Sequence, residues 1–399
     1  MSKQIGIVMI CLALVALLAS ACQSSPAVTA ADKPPAAPGP AKPSAAAGTV
    51  LWTFQTKGAV WASPAVHDGV VYFGSDDHFV YAVDAASQQL KWKFETGDLV
   101  RSRPAIADGT IYFTSDDGNL YALNAQDGKE AWQLDIGNAK VERKPLKEGY
   151  DYMQSSPAVA DGVVYVGSAD SNLYAVDAKT GQEKWRFAAR GFAPTPMRTS
   201  PTIANGIVYT GNGWDILFAV DARTGQEIWH FQGCGNQPAP AVVDGVVYEG
   251  GRPGMVYALD ALTGQKKWNF NYGDGMFVES SAALADGVVY VGSSYTRQLF
   301  ALDSATGKKK WAFATSGSAW SSPAVANGVA YIGSNNESIK EGYFWAVDTQ
   351  TGKAKWQLKI TSTLDAAGVH GVVSSPAVAN GVVYFGGLDG SLYAVSTAL

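Results

Sequence analysis

The chain has little of several things. Three cysteines in 399 residues exclude a disulfide-built scaffold. Charged residues make up 16% and the formal net charge is −5, which leaves no electrostatic footprint for a nucleic-acid partner. The four histidines (His67, His78, His230 and His370) show no metal-ligand spacing. The apolar run Ile5 to Leu18 is shorter than a comfortable membrane span. What the chain has instead is glycine (43 residues), tyrosine and tryptophan, the composition of a turn-rich, all-β globular protein.

Those residues are periodic. Ala175-Val-Asp-Ala-Lys-Thr-Gly-Gln-Glu-Lys-Trp185 places an alanine and a tryptophan ten residues apart, with Thr-Gly at the turn. The same spacing recurs at Ala82/Trp92, Ala122/Trp132, Ala219/Trp229, Ala258/Trp268, Ala301/Trp311 and Ala346/Trp356. Each unit reads as four short strands, a to d. Ser-Pro-Ala-Val opens it, then Gly-Val-Val-Tyr-x-Gly, then Leu-Tyr-Ala-Val-Asp, then Trp-x-Phe or Trp-x-Leu. Short β-branched and aromatic runs bounded by Gly, Asn and Asp are antiparallel strands joined by turns, and a four-stranded unit at this period is a propeller blade.

Strands a, b and c each occur eight times. The first Trp strand, around Trp52, precedes any strand a, and the chain stops just after the last strand c. The N-terminal strand must therefore complete the last blade, giving an eight-bladed ring over residues 49–399. Ring closure removes the open sheet edge, so a monomer is expected. Trp52, Trp92, Trp132, Trp185, Trp229, Trp268, Trp311 and Trp356 are expected to fill the wedges between neighbouring blades.

Two connections keep constant length: a to b (eight residues from Pro to Tyr) and c to d (ten from Ala to Trp). The d–a and b–c connections vary, and in an antiparallel blade both leave on one face. Insertions on one face of a rigid scaffold mark a binding surface. The long ones are Ile136 to Gln154, Ala188 to Thr199, Asn335 to Gly342 and Ile360 to Val373. The first carries Lys140, Arg143, Lys144, Tyr150 and Tyr152, and the last carries His370, all candidates for contact with a protein partner. Three residues before each strand-a proline the repeat loses its uniformity, at Trp61, Arg101, Gln154, Arg198, Gln237, Glu279, Trp320 and Val373. These should ring the channel mouth and could form a polar, aromatic-lined pocket. Asp76-Asp77 and Asp116-Asp117 hint at calcium loops but lack the ligand count, and they read as b–c turns.

The N-terminus, Lys3 followed by the apolar run and Leu18-Ala-Ser-Ala-Cys22, resembles a bacterial lipoprotein signal. The resemblance implies removal of residues 1–21 and lipidation of Cys22, so that Cys234 is left without a partner. Residues 22–48, rich in Ala and Pro, read as a semi-extended tether. The expected location is exported and lipid-anchored. That means the periplasmic face of the outer membrane if the host has one, and otherwise the outer face of the cell membrane.

The Ala-x-Asp-x-x-Thr-Gly-x-x-x-Trp pattern resembles the tryptophan-docking repeat of quinoproteins, which implies the same eight-bladed fold. One class with that fold binds pyrroloquinoline quinone beside Ca²⁺ and oxidises alcohols or sugars. This chain lacks that class's adjacent cysteines, although Glu279 could stand for a ligand carboxylate and Trp61 or Trp320 for a pocket floor. The other class is the BamB family of lipid-anchored propellers in outer-membrane barrel assembly. Its partner-binding loop compares with Thr195-Pro-Met-Arg-Thr-Ser-Pro201, where Met197 and Arg198 match. The expectation is therefore a non-enzymatic scaffold with no cofactor, docking a protein on its variable face. The alternative is a quinone-dependent dehydrogenase, or a quinone- or sugar-binding sensor, that uses the channel mouth.

Overall fold

The computed structural model describes residues 45–137, 155–189, 196–213, 215–234, 239–251, 254–273, 280–336, 341–361 and 369–398. The described residues form eight four-stranded antiparallel sheets and no helix. In blade 1 the strands are Ala65–His67, Val70–Gly74, Phe79–Asp84 and Leu90–Glu95. Seven sheets use strands consecutive in the chain. In blade 8 the outer strand is Val50–Gln55, paired antiparallel with Ser391–Ser396. The ring closes as the strand count requires.

Local chemistry explains the two constant spacings. Each a–b hairpin turns on Asp-Gly or Asn-Gly with both residues at positive φ, as at Asp161 (50°) and Gly162 (71°). That is the two-residue turn whose twist matches a right-twisted hairpin. In the c–d turn the strand-c aspartate anchors the threonine: Asp177 Oδ1 accepts from the Thr180 amide (3.0 Å) and hydroxyl (2.9 Å). These bonds hold the Asp177 carboxyl below its usual pKa. Asp221, Asp260, Asp303 and Asp348 repeat the arrangement.

The tryptophans join blade to blade. The Trp229 indole N–H donates to the Ala261 carbonyl of the next blade at 3.0 Å, and the Tyr209 hydroxyl donates to the same oxygen at 3.0 Å. Trp92, Trp132, Trp185, Trp268 and Trp311 bond Ala125, Ala178, Ala222, Ser304 and Thr349 in the same way. Each indole lies flat over the turn glycine of the next blade. A Cβ on Gly264 would sit 2.8 Å from the Trp229 ring. Trp356 has its platform across the closure, where a Cβ on Gly48 would come within 2.9 Å of the ring. Trp52 meets the one departing turn: it packs in a cluster with Ala85 of blade 1, where Gln88 holds a φ of 63°.

Three expectations need correction. Gly48 was assigned to the tether, yet it donates its amide to the Ser396 carbonyl (2.9 Å) and carries Trp356, so the last blade begins before residue 49. Ring closure does not remove every edge. Strand d is the outer member of each sheet, and it is protected by exposed alternating charges such as Lys91, Lys93 and Glu95. The insertions Asn335 to Gly342 and Ile360 to Val373 are partly strand. Blade 7 lengthens to Val329–Asn336, Glu341–Asp348 and Ala354–Thr361, with Asn336 opposite Glu341 and Gly342 opposite Ile360.

Gly264→Ala and Gly245→Ala separate packing from backbone strain. Both glycines have φ near +70°, but nothing lies within 4 Å of a Cβ on Gly245. Gly245→Ala should cost about 1–2 kcal/mol from left-handed backbone alone. Gly264→Ala should cost clearly more because the Trp229 ring must move. Denaturant titration followed by tryptophan fluorescence checks the ranking, and equal losses would refute the docking role of the glycine.

Candidate functional site

The inner strands surround an axial channel of about 930 Å³. It is built in layers, because alternate residues of an inner strand face the lumen. The layer just before each strand-a proline comprises Ser63, Arg103, Ser156, Ser200, Ala239, Ser281, Ser322 and Ser375. Its serines form a belt in which the backbone N–H of one blade donates to the hydroxyl of the next. The links run Arg103→Ser156→Ser200 and Ala239→Ser281→Ser322→Ser375→Ser63, at 2.8–3.0 Å. The belt is interrupted where Arg103 and Ala239 replace serine. Below it the lumen is lined mainly by alanine, and His67 stands at the far end.

Trp61, Arg101, Arg198, Trp320 and Val373 line the mouth of this channel, as the repeat spacing predicts. Gln154, Gln237 and Glu279 lie outside the described residues. Arg101 is committed inward. It makes a paired contact with Asp76 (2.7 and 2.6 Å) and lies over the Trp61 ring at 4.7 Å. Burial pushes the Asp76 carboxyl above its usual range, and Arg101 pulls it back. The first aspartate of the Asp76-Asp77 turn is thus an ion-pair partner. The second caps the turn, accepting from the Tyr81 hydroxyl (2.7 Å) and the Lys57 amide (2.9 Å), and Asp117 does the same for Tyr121 and Gly97. Trp61 and Trp320 rest on an apolar cluster of Ala59, Val373 and Leu388.

The b–c and d–a connections share one face. Asp76 N donates to Ala59 O, Val100 N to Ser75 O and Met197 N to Ser168 O, so turns of one kind hold the other. Met197 is not available there to a partner. It is 1% exposed and packs with Phe187, Val208 and Phe218, and it stands four residues before its proline, where Val60, Val100, Ala319 and Val372 are equally buried. His370 is also buried, at 5% exposed, beneath the extended blade 7 hairpin. Lys140, Arg143, Lys144, Tyr150, Tyr152 and Cys22 lie outside the described residues. Sequence reasoning missed Tyr295, which is 64% exposed in the b–c turn of blade 6; the extra residue in that turn was the available signal.

It also missed Glu249. The residue after the strand-b tyrosine is Phe73, Phe113, Val166, Thr210, Val291, Ile332 or Phe385 in the other blades. In blade 5 it is a glutamate, 1% exposed, with neither carboxylate oxygen hydrogen-bonded. Burial alone raises its pKa well above the carboxylate range, so it is held as the neutral acid. Burial likewise raises the Cys234 thiol, with the Asp215 carboxylate adding to the effect. Cys234 is inert to oxidation as placed, since a reactive cysteine needs an exposed thiolate.

The tryptophan-docked ring of eight four-stranded blades places the chain in the class of eight-bladed propellers. Within that class the chain belongs to the family described as outer membrane protein assembly factor BamB, matched over residues 42–145, 138–275 and 252–398. Solved structures agree on the fold at low identity. BamB from Moraxella catarrhalis is 16% identical, with TM-score 0.69 over 88% of this chain and 99% of that one. A europium-containing methanol dehydrogenase is 18% identical, with TM-score 0.68 over 87% and 93%. A quinohemoprotein alcohol dehydrogenase from Comamonas testosteroni is 18% identical, with TM-score 0.66 over 88% and 76%. Comparison with curated proteins gives no match. The described channel lining does not fit a quinone with Ca²⁺. It holds Arg101, Arg103, Arg198 and His67 but no carboxylate, whereas Ca²⁺ takes six to eight oxygen ligands.

Glu249 makes stability depend on pH. Its folded pKa is raised, so the native state keeps a proton that the unfolded chain releases above about pH 4.3. Stability should fall as pH rises from there toward the folded pKa. Glu249→Gln should flatten that decline and leave the variant more stable than wild type at pH 8. Thermal unfolding from pH 4 to 8 measures it; parallel curves for the two proteins would refute a buried, unpaired acid.

Proposed function

We propose that this chain is an exported, lipid-anchored scaffold that docks a protein partner on its variable face, in outer-membrane protein assembly. One observation carries this reading. Length variation among the blades is confined to the b–c and d–a connections, while the Pro-to-Tyr spacing across a–b stays at eight and the Ala-to-Trp spacing across c–d at ten. Membership of the BamB family supports the class of partner, and the resemblance of the N-terminus to a lipoprotein signal supports the anchor at Cys22. The scaffold needs no cofactor and acts as a monomer. Lys140, Arg143, Lys144, Tyr150 and Tyr152 form part of the docking surface, joined by Tyr295 and excluding the buried Met197.

A second reading is a quinone-dependent dehydrogenase, supported by the fold shared with two such enzymes and by the axial channel. It requires Glu279 and further oxygen donors from outside the described residues to hold Ca²⁺. Under it, purified protein supplied with quinone and Ca²⁺ oxidises alcohols or sugars with a dye acceptor; under the first reading it does not.

Photocrosslinking in intact cells tests the scaffold. A photoreactive residue at Tyr150 or Tyr295 should capture a subunit of the barrel-assembly machinery. The same residue at Leu262, exposed in a c–d turn on the opposite face, should capture none. Absence of protein adducts from both variable-face positions would overturn the scaffold reading.

A further inference from the structure

We infer that the channel lumen is a binding site for a small oxyanion-bearing ligand, with Arg103 as its charge partner. Arg103 stands in the serine layer, two residues and so at most about 7 Å below the mouth layer. Its side chain is exposed to the channel lumen. Among the described residues no charged neighbour balances it. Arg101 at the mouth differs in this respect, because Asp76 balances it. A guanidinium always carries its charge. An oxyanion in the lumen supplies the missing partner with paired hydrogen bonds.

Three further observations point the same way. The chain as a whole is acidic, with net charge −5, yet the described lining of the channel contains arginines and a histidine and no carboxylate. The lumen is therefore a local reversal of sign, which focuses anions. Arg103 also sits where serine stands in six of the eight blades, and its presence leaves no hydroxyl to receive the Ser63 N–H, so the belt of serine links breaks there. A residue that departs from the repeat and interrupts a structural belt marks a functional position. Finally, the cavity of about 930 Å³ is large enough for a small organic ligand. Phosphate and carboxylate share the required chemistry. This site is independent of the docking face, since neither its residues nor its ligand contribute to that surface.

Arg103→Ser is the informative variant, because it restores the residue of the repeat. Calorimetric titration of detergent-solubilised full-length protein should detect binding of inorganic phosphate, of citrate, or of both; which of the two binds identifies the oxyanion. Sorbitol, an uncharged polyol, should not bind. Arg103→Ser should lower affinity for the bound anion by about tenfold or more, while its unfolding temperature stays equal to wild type or rises. Unchanged affinity in the variant would overturn the inference. So would failure of both anions to bind wild type at 10 mM, or a fall in unfolding temperature showing that Arg103 holds the ring together.

Discussion

The structure depends on one recurring contact, an indole N–H donating to a backbone carbonyl across six of the eight blade boundaries. Sheets in a propeller share no backbone ladder with their neighbours, so side chains must hold the ring. Here a single carbonyl, such as Ala261 O, takes both the Trp229 indole and the Tyr209 hydroxyl. The ring of the tryptophan covers the turn that presents that carbonyl. The turn in turn is fixed by an aspartate gripping a threonine and by a glycine that lets the indole approach. Ala, Asp, Thr, Gly and Trp in the repeat are thus parts of one device. At the closure Gly48, just before the strand Val50–Gln55, supplies the platform for Trp356, so the N-terminal strand is drawn into the same contact.

That device leaves the inner and upper parts of each blade free to differ. The serine belt links neighbouring inner strands by N–H to hydroxyl bonds and can lose two links without opening the ring. Arg103 and Ala239 occupy those gaps. Similarly the variable face can lengthen in blade 7 because the added residues extend an existing hairpin and pair within it. A fold held from its outer and middle strands has a permissive axis and a permissive face, which is where both binding surfaces lie.

Much of the fold was legible in the sequence because its determinants are local. Blade count, strand order and the fate of the Trp52 strand follow from spacing alone. Site residues were legible only in part. Trp61, Arg101, Arg198 and Trp320, each three before a strand-a proline, line one cavity, since period-two alternation fixes which side chains face the axis. Sequence could not say that Arg101 is bound to Asp76, because the two lie 25 residues apart and meet only when adjacent blades pack. Met197 looked like a surface contact when compared with a loop motif, whereas its register with Val60 and Val100 makes it core.

The sequence by itself therefore determined the architecture: the repeat sets four strands per blade, the turns set the hairpins, and the displaced strand sets the closure. Tertiary structure alone decided the charge state and availability of individual groups. Glu249 becomes a neutral acid, Cys234 an inert thiol and Arg103 a lumen-facing cation only because of what surrounds them. Strand periodicity is a property of neighbours along the chain, whereas desolvation and ion pairing are properties of neighbours in space.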